Sequence, residues 1–225
     1  MVTVIRIGGS VVASPEDPEL ISEYVDLLIK LKLKKRRIIA VVGGGKLARQ
    51  FINVGKRLGL DEESQDWLAI HVSRLHALLL TLKLGKDGVG IVPTSIKEAL
   101  MISRSNQVVV MGGIEPGMTT DTVAARLTKE ASSKLLVKAT DQLGIYNKDP
   151  ARYPDAVKLE EVNYRELADI LEENQHKAGI RQILDPVAIE ILSEAKVKTV
   201  VVDGKDPQNI LMAIAGEQVG TTVTA

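Results

Sequence analysis

The sequence predicts an α/β protein, a three-layer α-β-α sandwich around a mainly parallel sheet. Three observations lead to this fold class. Short apolar runs alternate with segments of helical periodicity from one end of the 225 residues to the other. Several of these runs are apolar throughout, as strands buried on both faces of a parallel sheet are. Glycine turns follow three of the runs and lead into helices, which is how a parallel sheet passes its chain to a covering layer.

The first part of the chain is expected to supply three main strands and five helices. Strands are predicted over 2–7, 38–42 and 107–110, with a short one within 85–92, and helices over 20–31, 47–58, 67–84, 95–103 and 122–131. The helix over 67–84 follows an acidic turn, 61–66, and is apolar almost all round. It must therefore be buried on more than one side, either by another helix layer or, as we favour, by a second copy of the chain.

The second part of the chain continues the alternation. Strands are predicted over 134–139 and 197–202, with an edge strand over 220–224, and helices over 163–173, over 187–194 and up to about 215. Asp185 followed by Pro186 is a typical helix start. The length fits a single domain, 1–225, made of two lobes, 1–133 and 134–225.

The composition excludes several classes of function. Twenty-nine Lys and Arg balance twenty-nine Asp and Glu, so no overall field attracts nucleic acid or a membrane. There is no cysteine, which excludes disulfides and zinc–thiolate sites and favours a reducing cytoplasm. His71, His76 and His176 have no metal-ligand spacing, and we predict no resident metal site. We expect a soluble protein.

The stretch 111–121 has the pattern of an anion-binding turn. It follows an apolar run, contains Gly112 and Gly113, and leads through Thr119, Thr120 and Asp121 into a helix. Such a turn directs main-chain N–H groups and the positive end of the helix into one crevice. The three polar residues could cap the helix, face the crevice, or do both.

Two more glycine turns are expected at the same edge of the sheet. They are 8–10 and 43–45, with Arg6, Lys46 and Arg49 close in sequence to add positive charge. Three such turns suggest a polyphosphate or two phosphorylated ligands side by side. Phosphoryl transfer fits this pattern because it needs positioning and charge neutralisation rather than a covalent nucleophile. Arg6 and Asp121 are the candidate catalytic residues.

Two familiar nucleotide-binding motifs fit less well. The P-loop is absent, since position 40 is Ala and position 47 is Leu. Gly43, Gly45 and Ala48 match the dinucleotide fingerprint, but the acidic residues that follow open a helix instead of ending a strand. Dinucleotide binding stays an alternative that predicts tight NAD binding, which we do not expect.

With these residues in view, the chain resembles the amino-acid kinase superfamily, and most closely its archaeal-type uridylate kinases. The stretches that carry the resemblance keep the family's order: 7–10, 41–49, 112–125, 139–150 and 185–188. The resemblance implies transfer of the ATP γ-phosphate to UMP in pyrimidine nucleotide synthesis, with Mg²⁺ accompanying ATP. It further implies an amino-acid kinase-like fold, a cytoplasmic location and a homohexamer built from dimers.

The resemblance also implies the site residues. ATP contacts are expected in both lobes, at Gly9, Ser10, Gly45, Arg49, Thr140, Tyr146 and Asp149. UMP contacts are expected in the first lobe, at Gly44, Asp66, Ile114, Glu115, Pro116, Gly117, Met118, Thr119 and Thr120. Asp121 would organise the catalytic centre, with 1–133 as the UMP-binding lobe and 134–225 as the ATP-binding lobe.

The chain departs from the superfamily at two positions. Most members have lysine where this chain has Arg6, and the second lysine of acetylglutamate-type members has no counterpart at Asp185. Uridylate kinases similarly lack that second lysine. Two alternatives remain open: a relative that phosphorylates a carboxylate, a carbamate or an isoprenoid phosphate, and a nucleotide-binding regulatory protein without catalysis.

Overall fold

The computed structural model of the chain describes residues 2–12, 17–105, 107–150, 152–175 and 183–225, except for the side chains of 173–175. The strands are β1 (Val2–Ile7), β2 (Arg37–Val42), β3 (Val109–Met111), β4 (Leu135–Thr140), β5 (Glu161–Asn163), β6 (Lys198–Asp203) and β7 (Thr221–Thr224). The helices are α1 (Gly9–Val12), α2 (Pro18–Leu33), α3 (Gly45–Arg57), α4 (Glu62–Leu84), α5 (Ile96–Ile102), α6 (Thr120–Glu130), α7 (Tyr164–Gln175), α8 (Pro186–Glu194) and α9 (Gln208–Ala215).

The strands form one seven-stranded sheet in the order β3-β2-β1-β4-β6-β7-β5. The first five strands of this order are parallel, whereas β7 runs antiparallel to β6 and parallel to β5. The predicted mainly parallel sheet is therefore confirmed. Because β1, β2, β3 and β4 are neighbours, their carboxyl ends lie along one edge, where the glycine turns follow.

Helices cover both faces of the sheet and bury two apolar clusters. One cluster joins the strands to α5, α6, α7 and α8. The other joins them to α1, α2, α9 and part of α4. Successive strand residues alternate between the clusters, with Val4 in the first and Ile5 in the second, as the period of two requires. The predicted α-β-α sandwich is confirmed.

Helix α4 starts earlier than its apolar pattern suggested. Asp61 is the N-cap, its carboxylate accepting a hydrogen bond of 2.8 Å from the Ser64 N–H. The predicted acidic turn thus lies mostly inside the first turns of the helix. By length and composition α4 is the one described helix that could cross a membrane, yet it packs against α3, α2 and the sheet.

Two predicted strand details are wrong, and one strand was not predicted. The segment 220–224 was expected to be an edge strand, but β7 lies between β6 and β5. The edge is β5, which has only three residues, two of them polar, and so gave no apolar run. Within 85–92 there is a 3₁₀ turn, Gly85–Asp87, and a single bridge from Gly88 to Val108 instead of a strand.

Candidate active site

Two cations occupy neighbouring positions at the centre of the sheet. Arg6 of β1 and Lys138 of β4 are partners in the parallel register. Residues two apart on a strand share a face, so Arg6 lies on the face of Val4, and Lys138 on that of Leu136. This is the face covered by α6 and α8. The Lys138 side chain is 5% exposed, so its charge needs a buried partner.

Asp121, in the first turn of α6, is that partner. Its Oδ1 lies 2.7 Å from Arg6 Nε, and its Oδ2 accepts a hydrogen bond of 2.6 Å from Lys138 Nζ. Arg6 also donates to the Thr120 hydroxyl at 2.9 Å and to the Ile7 carbonyl at 2.8 Å. We call Arg6, Asp121 and Lys138 the charge cluster.

The charge cluster shifts the pKa values of its members. Burial alone would raise the pKa of Asp121, but the charges of Arg6 and Lys138 outweigh it and hold that pKa below its usual range. Burial lowers the pKa of Lys138 to about 8; the charge of Arg6 adds to this effect and that of Asp121 opposes it. The cluster holds two cations against one carboxylate, so its formal charge near neutral pH is positive, which suits an anionic ligand.

A cavity of about 310 Å³ opens beside the charge cluster at the carboxyl ends of β1, β2 and β4. We call it the strand-end cavity. All three members of the charge cluster line it, together with residues from the turns after β1, β2 and β4. These residues are Gly8, Gly9, Ser10, Gly43, Gly44, Gly45, Asp141 and Gln142; Thr140 at the end of β4 and Arg49 of α3 line the cavity as well.

A second cavity, of about 350 Å³, lies between α4 and the segment 112–119. We call it the loop cavity, and the segment the acceptor-side loop. The wall of the loop cavity combines Asp66, Ala69, Ile70 and Ser73 of α4 with residues of the loop. Gly44 lines both cavities.

Helix α4 anchors the acceptor-side loop through polar side chains. The Ser73 hydroxyl accepts a hydrogen bond of 2.8 Å from the Gly113 N–H, and Asp66 Oδ2 accepts one of 2.7 Å from the Gly117 N–H. Arg74 donates to the carbonyls of Gly113 and Ile114, each at 2.9 Å. The same helix reaches the turn after β2, since the Nδ1 of the buried His76 lies 3.2 Å from the Gly43 carbonyl oxygen.

Close backbone packing explains two of the glycines. A Cβ on Gly9 would lie 2.1 Å from the Gly45 N, so the turns after β1 and β2 touch. A Cβ on Gly112 would lie 2.6 Å from Ser73 Oγ and 2.7 Å from the Arg74 N. The sequence predicts that Gly112 and Gly113 both belong to an anion-binding turn. Of these two glycines Gly113 lines the loop cavity, whereas Gly112 allows the close packing of the loop against α4.

The amino-terminal ends of α6 and α8 are tied together. Asp185 caps α8 by accepting from the Ala188 N–H at 2.9 Å. Its carboxylate also accepts from the hydroxyls of Thr119, at 2.6 Å, and Thr122, at 2.9 Å. Thr119 is in turn the N-cap of α6. The predicted capping roles of Asp185 and Thr119 are confirmed, and their mutual bond joins the acceptor-side loop to the second part of the chain.

Comparison with known proteins identifies the family. A sequence model described as the amino acid kinase family matches residues 1–203. The chain belongs to the amino acid kinase family.

Two curated archaeal proteins and one archaeal crystal structure resemble this kinase along its length. It is 41% identical over 226 residues to a uridylate kinase of Methanococcus maripaludis, with 100% of both chains covered. It is 38% identical to a uridylate kinase of Methanothermobacter thermautotrophicus, covering 98% of this chain and 97% of the relative. The crystal structure of uridylate kinase from Archaeoglobus fulgidus has a TM-score of 0.88 at 35% identity, covering 100% of both chains.

A bacterial structure shares the fold. The UMP kinase from Ureaplasma parvum has a TM-score of 0.82 at 20% identity, covering 99% of this chain and 98% of that one. The resemblance to archaeal-type uridylate kinases and the amino-acid kinase fold, both predicted from the sequence, are confirmed.

The kinase brings most of the predicted ATP residues together. Gly9, Ser10, Gly45, Arg49 and Thr140 all line the strand-end cavity. Tyr146 and Asp149 do not; they lie in the loop after β4, where Tyr146 forms a bridge with Lys158 and Asp149 pairs with Arg152 at 3.6 Å. Their contact with a nucleotide stays a prediction.

Most of the predicted UMP residues also lie together. The loop cavity is lined by Gly44, Asp66, Glu115, Gly117, Met118, Thr119 and Thr120. Ile114 and Pro116 belong to the same loop without lining the cavity, and Ile114 packs against the core instead. Contact of these residues with UMP stays a prediction.

Lys138 is the member of the charge cluster that the sequence reasoning missed. It lies in the correctly predicted strand 134–139, inside the run Leu135-Leu136-Val137-Lys138-Ala139. A charged residue at a position buried on both faces needs a partner, so the run itself carried the signal. Ser73 and Arg74 were missed as well, because the periodicity of α4 does not show which loop its polar residues meet.

Proposed function

We propose that this kinase transfers the γ-phosphoryl group of ATP to UMP, giving UDP and ADP. One observation carries the proposal: two cavities share the backbone of Gly44, and the charge cluster lines one of them beside that shared wall. Two nucleotides in these cavities would meet phosphate to phosphate. The uridylate kinases that the chain resembles over its full length support UMP as the acceptor.

The strand-end cavity is proposed to hold the ATP phosphates. Gly9, Gly45 and Ser10 would offer N–H groups, and Arg49 a charge, to the polyphosphate. Tyr146 and Asp149 would contact the rest of ATP from the loop after β4. The contacts with the phosphates would thus come largely from 1–133, and those with the rest of ATP from 134–225, which we propose as the ATP-binding lobe.

The loop cavity is proposed to hold UMP, which assigns 1–133 as the UMP-binding lobe. Asp66 would face the ribose, and Thr119 and Thr120 would lie near the base and phosphate. Gly117 has a φ of +75°, so the loop needs glycine where its N–H bonds to Asp66. The loop is thus folded around the position where UMP would lie.

The charge cluster is proposed to stabilise the transferring phosphoryl group. An oxygen of the UMP phosphate attacks the γ-phosphorus, and the bond from that phosphorus to the ADP bridging oxygen breaks. Arg6 and Lys138 would offset the negative charge on the transferring oxygens. Asp121 holds both cations in place, so it is placed to orient them rather than to remove a proton.

Mg²⁺ suits this site as a companion of ATP. Among the described residues no group of three or more His, Cys, Asp and Glu could hold a metal ion by itself. Mg²⁺ is typically bound by one or two carboxylates together with substrate phosphates. Asp141 lines the strand-end cavity and would be the carboxylate for this ion, which neutralises the β- and γ-phosphate oxygens when bound.

We further propose a cytoplasmic homo-oligomer. Four leucines along one side of α4 are 38–67% exposed: Leu75, Leu78, Leu79 and Leu82. Such a stripe is typical of a surface that a second copy covers. A hexamer assembled from dimers would fit the proposed branch of the family.

The experiment is a set of acceptor assays. Purified protein is given Mg–ATP with UMP, CMP, dUMP, an acylamino acid, carbamate or an isoprenoid phosphate, and ADP formation is followed. We expect UMP to give the highest kcat/KM. Turnover of another acceptor without turnover of UMP would reject the proposal in favour of another branch, and binding of ATP and UMP without turnover would favour a regulatory protein.

A further inference from the structure

Arg74 contacts the acceptor-side loop from outside the loop cavity. Its Nε donates to the Gly113 carbonyl and its Nη2 to the Ile114 carbonyl, both at 2.9 Å. Arg74 does not line the cavity, whereas Gly113 and Glu115, on either side of Ile114, do. Any effect of Arg74 on a ligand in this cavity must therefore pass through the loop backbone.

A guanidinium group is suited to hold two successive carbonyls. Its N–H donors form a rigid planar fork, so two hydrogen bonds fix the direction of both acceptors at once. Each peptide unit is planar, and its N–H points opposite to its carbonyl. Fixing the carbonyls of Gly113 and Ile114 therefore also fixes the N–H groups of Ile114 and Glu115.

The other anchors from α4 do not replace this fork. Ser73 holds the Gly113 N–H and Asp66 holds the Gly117 N–H, so they secure the loop at two places separated by three residues. Of the four peptide planes from Gly113 to Gly117, Arg74 holds the first two on α4. Ser73 and Asp66 also line the cavity, so among these three side chains of α4 Arg74 is the one that acts on the loop without facing the ligand.

We propose that Arg74 is a positioning residue for the phosphate acceptor: its guanidinium holds the Gly113 and Ile114 carbonyls and so pre-shapes the loop cavity before the acceptor binds. This inference rests on the proposed function, because the loop cavity is assigned to UMP there. Arg74 influences the binding of the acceptor. Because the loop is already ordered, acceptor binding does not have to supply the free energy of ordering it.

The first test separates acceptor binding from the other kinetic constants. In Arg74→Met the KM for UMP rises about tenfold, because two charge-assisted hydrogen bonds to the loop are lost. The KM for ATP and kcat at saturating UMP stay within about twofold of the parent protein. Arg74→Lys keeps the charge but not the fork, so we expect it to recover only part of the affinity.

The second test observes the loop without any nucleotide. Hydrogen–deuterium exchange in peptides covering 112–118 is faster in Arg74→Met than in the parent protein. Lys83→Met is the matched control, because Lys83 is an exposed basic residue of the same helix. It leaves both the exchange of these peptides and the KM for UMP unchanged.

The two tests fail in different ways. Unchanged exchange over 112–118 in Arg74→Met, or an unchanged KM for UMP, overturns the role of Arg74. An equal rise in both KM values also overturns it, as does complete recovery by Arg74→Lys, since these results indicate a general structural or purely electrostatic role. If the parent protein does not phosphorylate UMP, the proposed function fails, and the exchange experiment still decides whether Arg74 orders the loop.

Discussion

At the scale of single residues, the charge cluster depends on two cations that share one carboxylate. Arg6 and Lys138 are adjacent in the sheet, and their positive charges would repel each other if the Asp121 carboxylate did not contact both side chains. Removing one member of a buried ionic cluster leaves the others incompletely paired, which costs more than losing an exposed ion pair. Each member is therefore open to a specific test.

Replacing Asp121 with Asn removes the charge that holds the two cations. We expect kcat to fall by about 100-fold or more, because both donors lose their orientation toward the transferring phosphoryl group. Binding of ATP, measured by calorimetry, should change much less. A variant with an unchanged kcat would remove Asp121 from the mechanism.

Lys138 should give the reaction a dependence on pH. Burial lowers its pKa to about 8 from the ordinary 10.5, so its charge disappears as the pH rises through about 8. We expect kcat/KM for UMP to fall over that range in the parent protein, because kcat/KM reports the groups of the free enzyme. Lys138→Met should have a kcat/KM lower by about 100-fold that no longer falls near pH 8. The same decline in the variant would assign the titration to another group.

Stability should respond to the same proton in the opposite sense. Between about pH 8 and 10.5 the unfolded chain keeps a proton on Lys138 that the folded chain has released. The contribution of Lys138 to the free energy of unfolding therefore increases as the pH rises through that window. Urea unfolding at pH 8 and pH 10 should give a smaller increase for Lys138→Met than for the parent protein.

Sequence reasoning found the residues of this site that lie in or beside the glycine turns and missed Lys138. Gly9 and Gly45 lie in the turns after β1 and β2, and Asp121 begins the helix after the third turn, so their meeting at one sheet edge could be predicted. The contact between Lys138 and Arg6 depends on the register of β1 with β4. Register is a tertiary property, and no local pattern in either strand specifies it.

At the scale of secondary-structure elements, α4 and the acceptor-side loop behave as one unit. The helix backbone approaches Gly112 so closely that any side chain there would meet Ser73 or the Arg74 N. The elements themselves were predicted well, with most boundaries within two or three residues. Their contact was not predictable, because it joins positions about forty residues apart in the chain.

Replacing Gly112 with Ala should disturb this unit. The added methyl group would push the loop away from α4 at a cost of roughly 1–3 kcal/mol, and the KM for UMP should rise. Gly85→Ala is the control, because Gly85 has a φ of +53° but no atom within 4 Å of an added Cβ. It should lower stability through backbone strain alone and leave the KM for UMP unchanged. Equal kinetic effects would contradict a specific role for the close approach.

At the scale of the whole molecule, α4 has two sides with different surroundings. One side holds the loop cavity, and the other presents the four exposed leucines. The sequence shows that this helix is apolar almost all round, and its cover by a second copy stays a prediction. It could not predict which leucines face outward, because that depends on where the sheet lies beneath the helix.

The exposed leucines indicate how the proposed oligomer could be broken. Replacing Leu79 and Leu82 together with Glu should lower the mass measured by light scattering after size-exclusion chromatography, since charged residues cannot stay in an apolar interface. Leu33→Glu is the control, because Leu33 is 73% exposed at the end of α2 and does not belong to the four exposed leucines of α4. An unchanged mass in the double variant would show that another surface makes the contact.

The position of β7 has a consequence for the order of folding. Among the residues that the structure describes, β5 pairs with β7 alone, and β7 comes about sixty residues later in the chain. During synthesis β5 therefore has no hydrogen-bonded neighbouring strand until the ribosome has added the residues of β7, up to Thr224. The five parallel strands can assemble first, and β7 and β5 are added at one end of the sheet only afterwards.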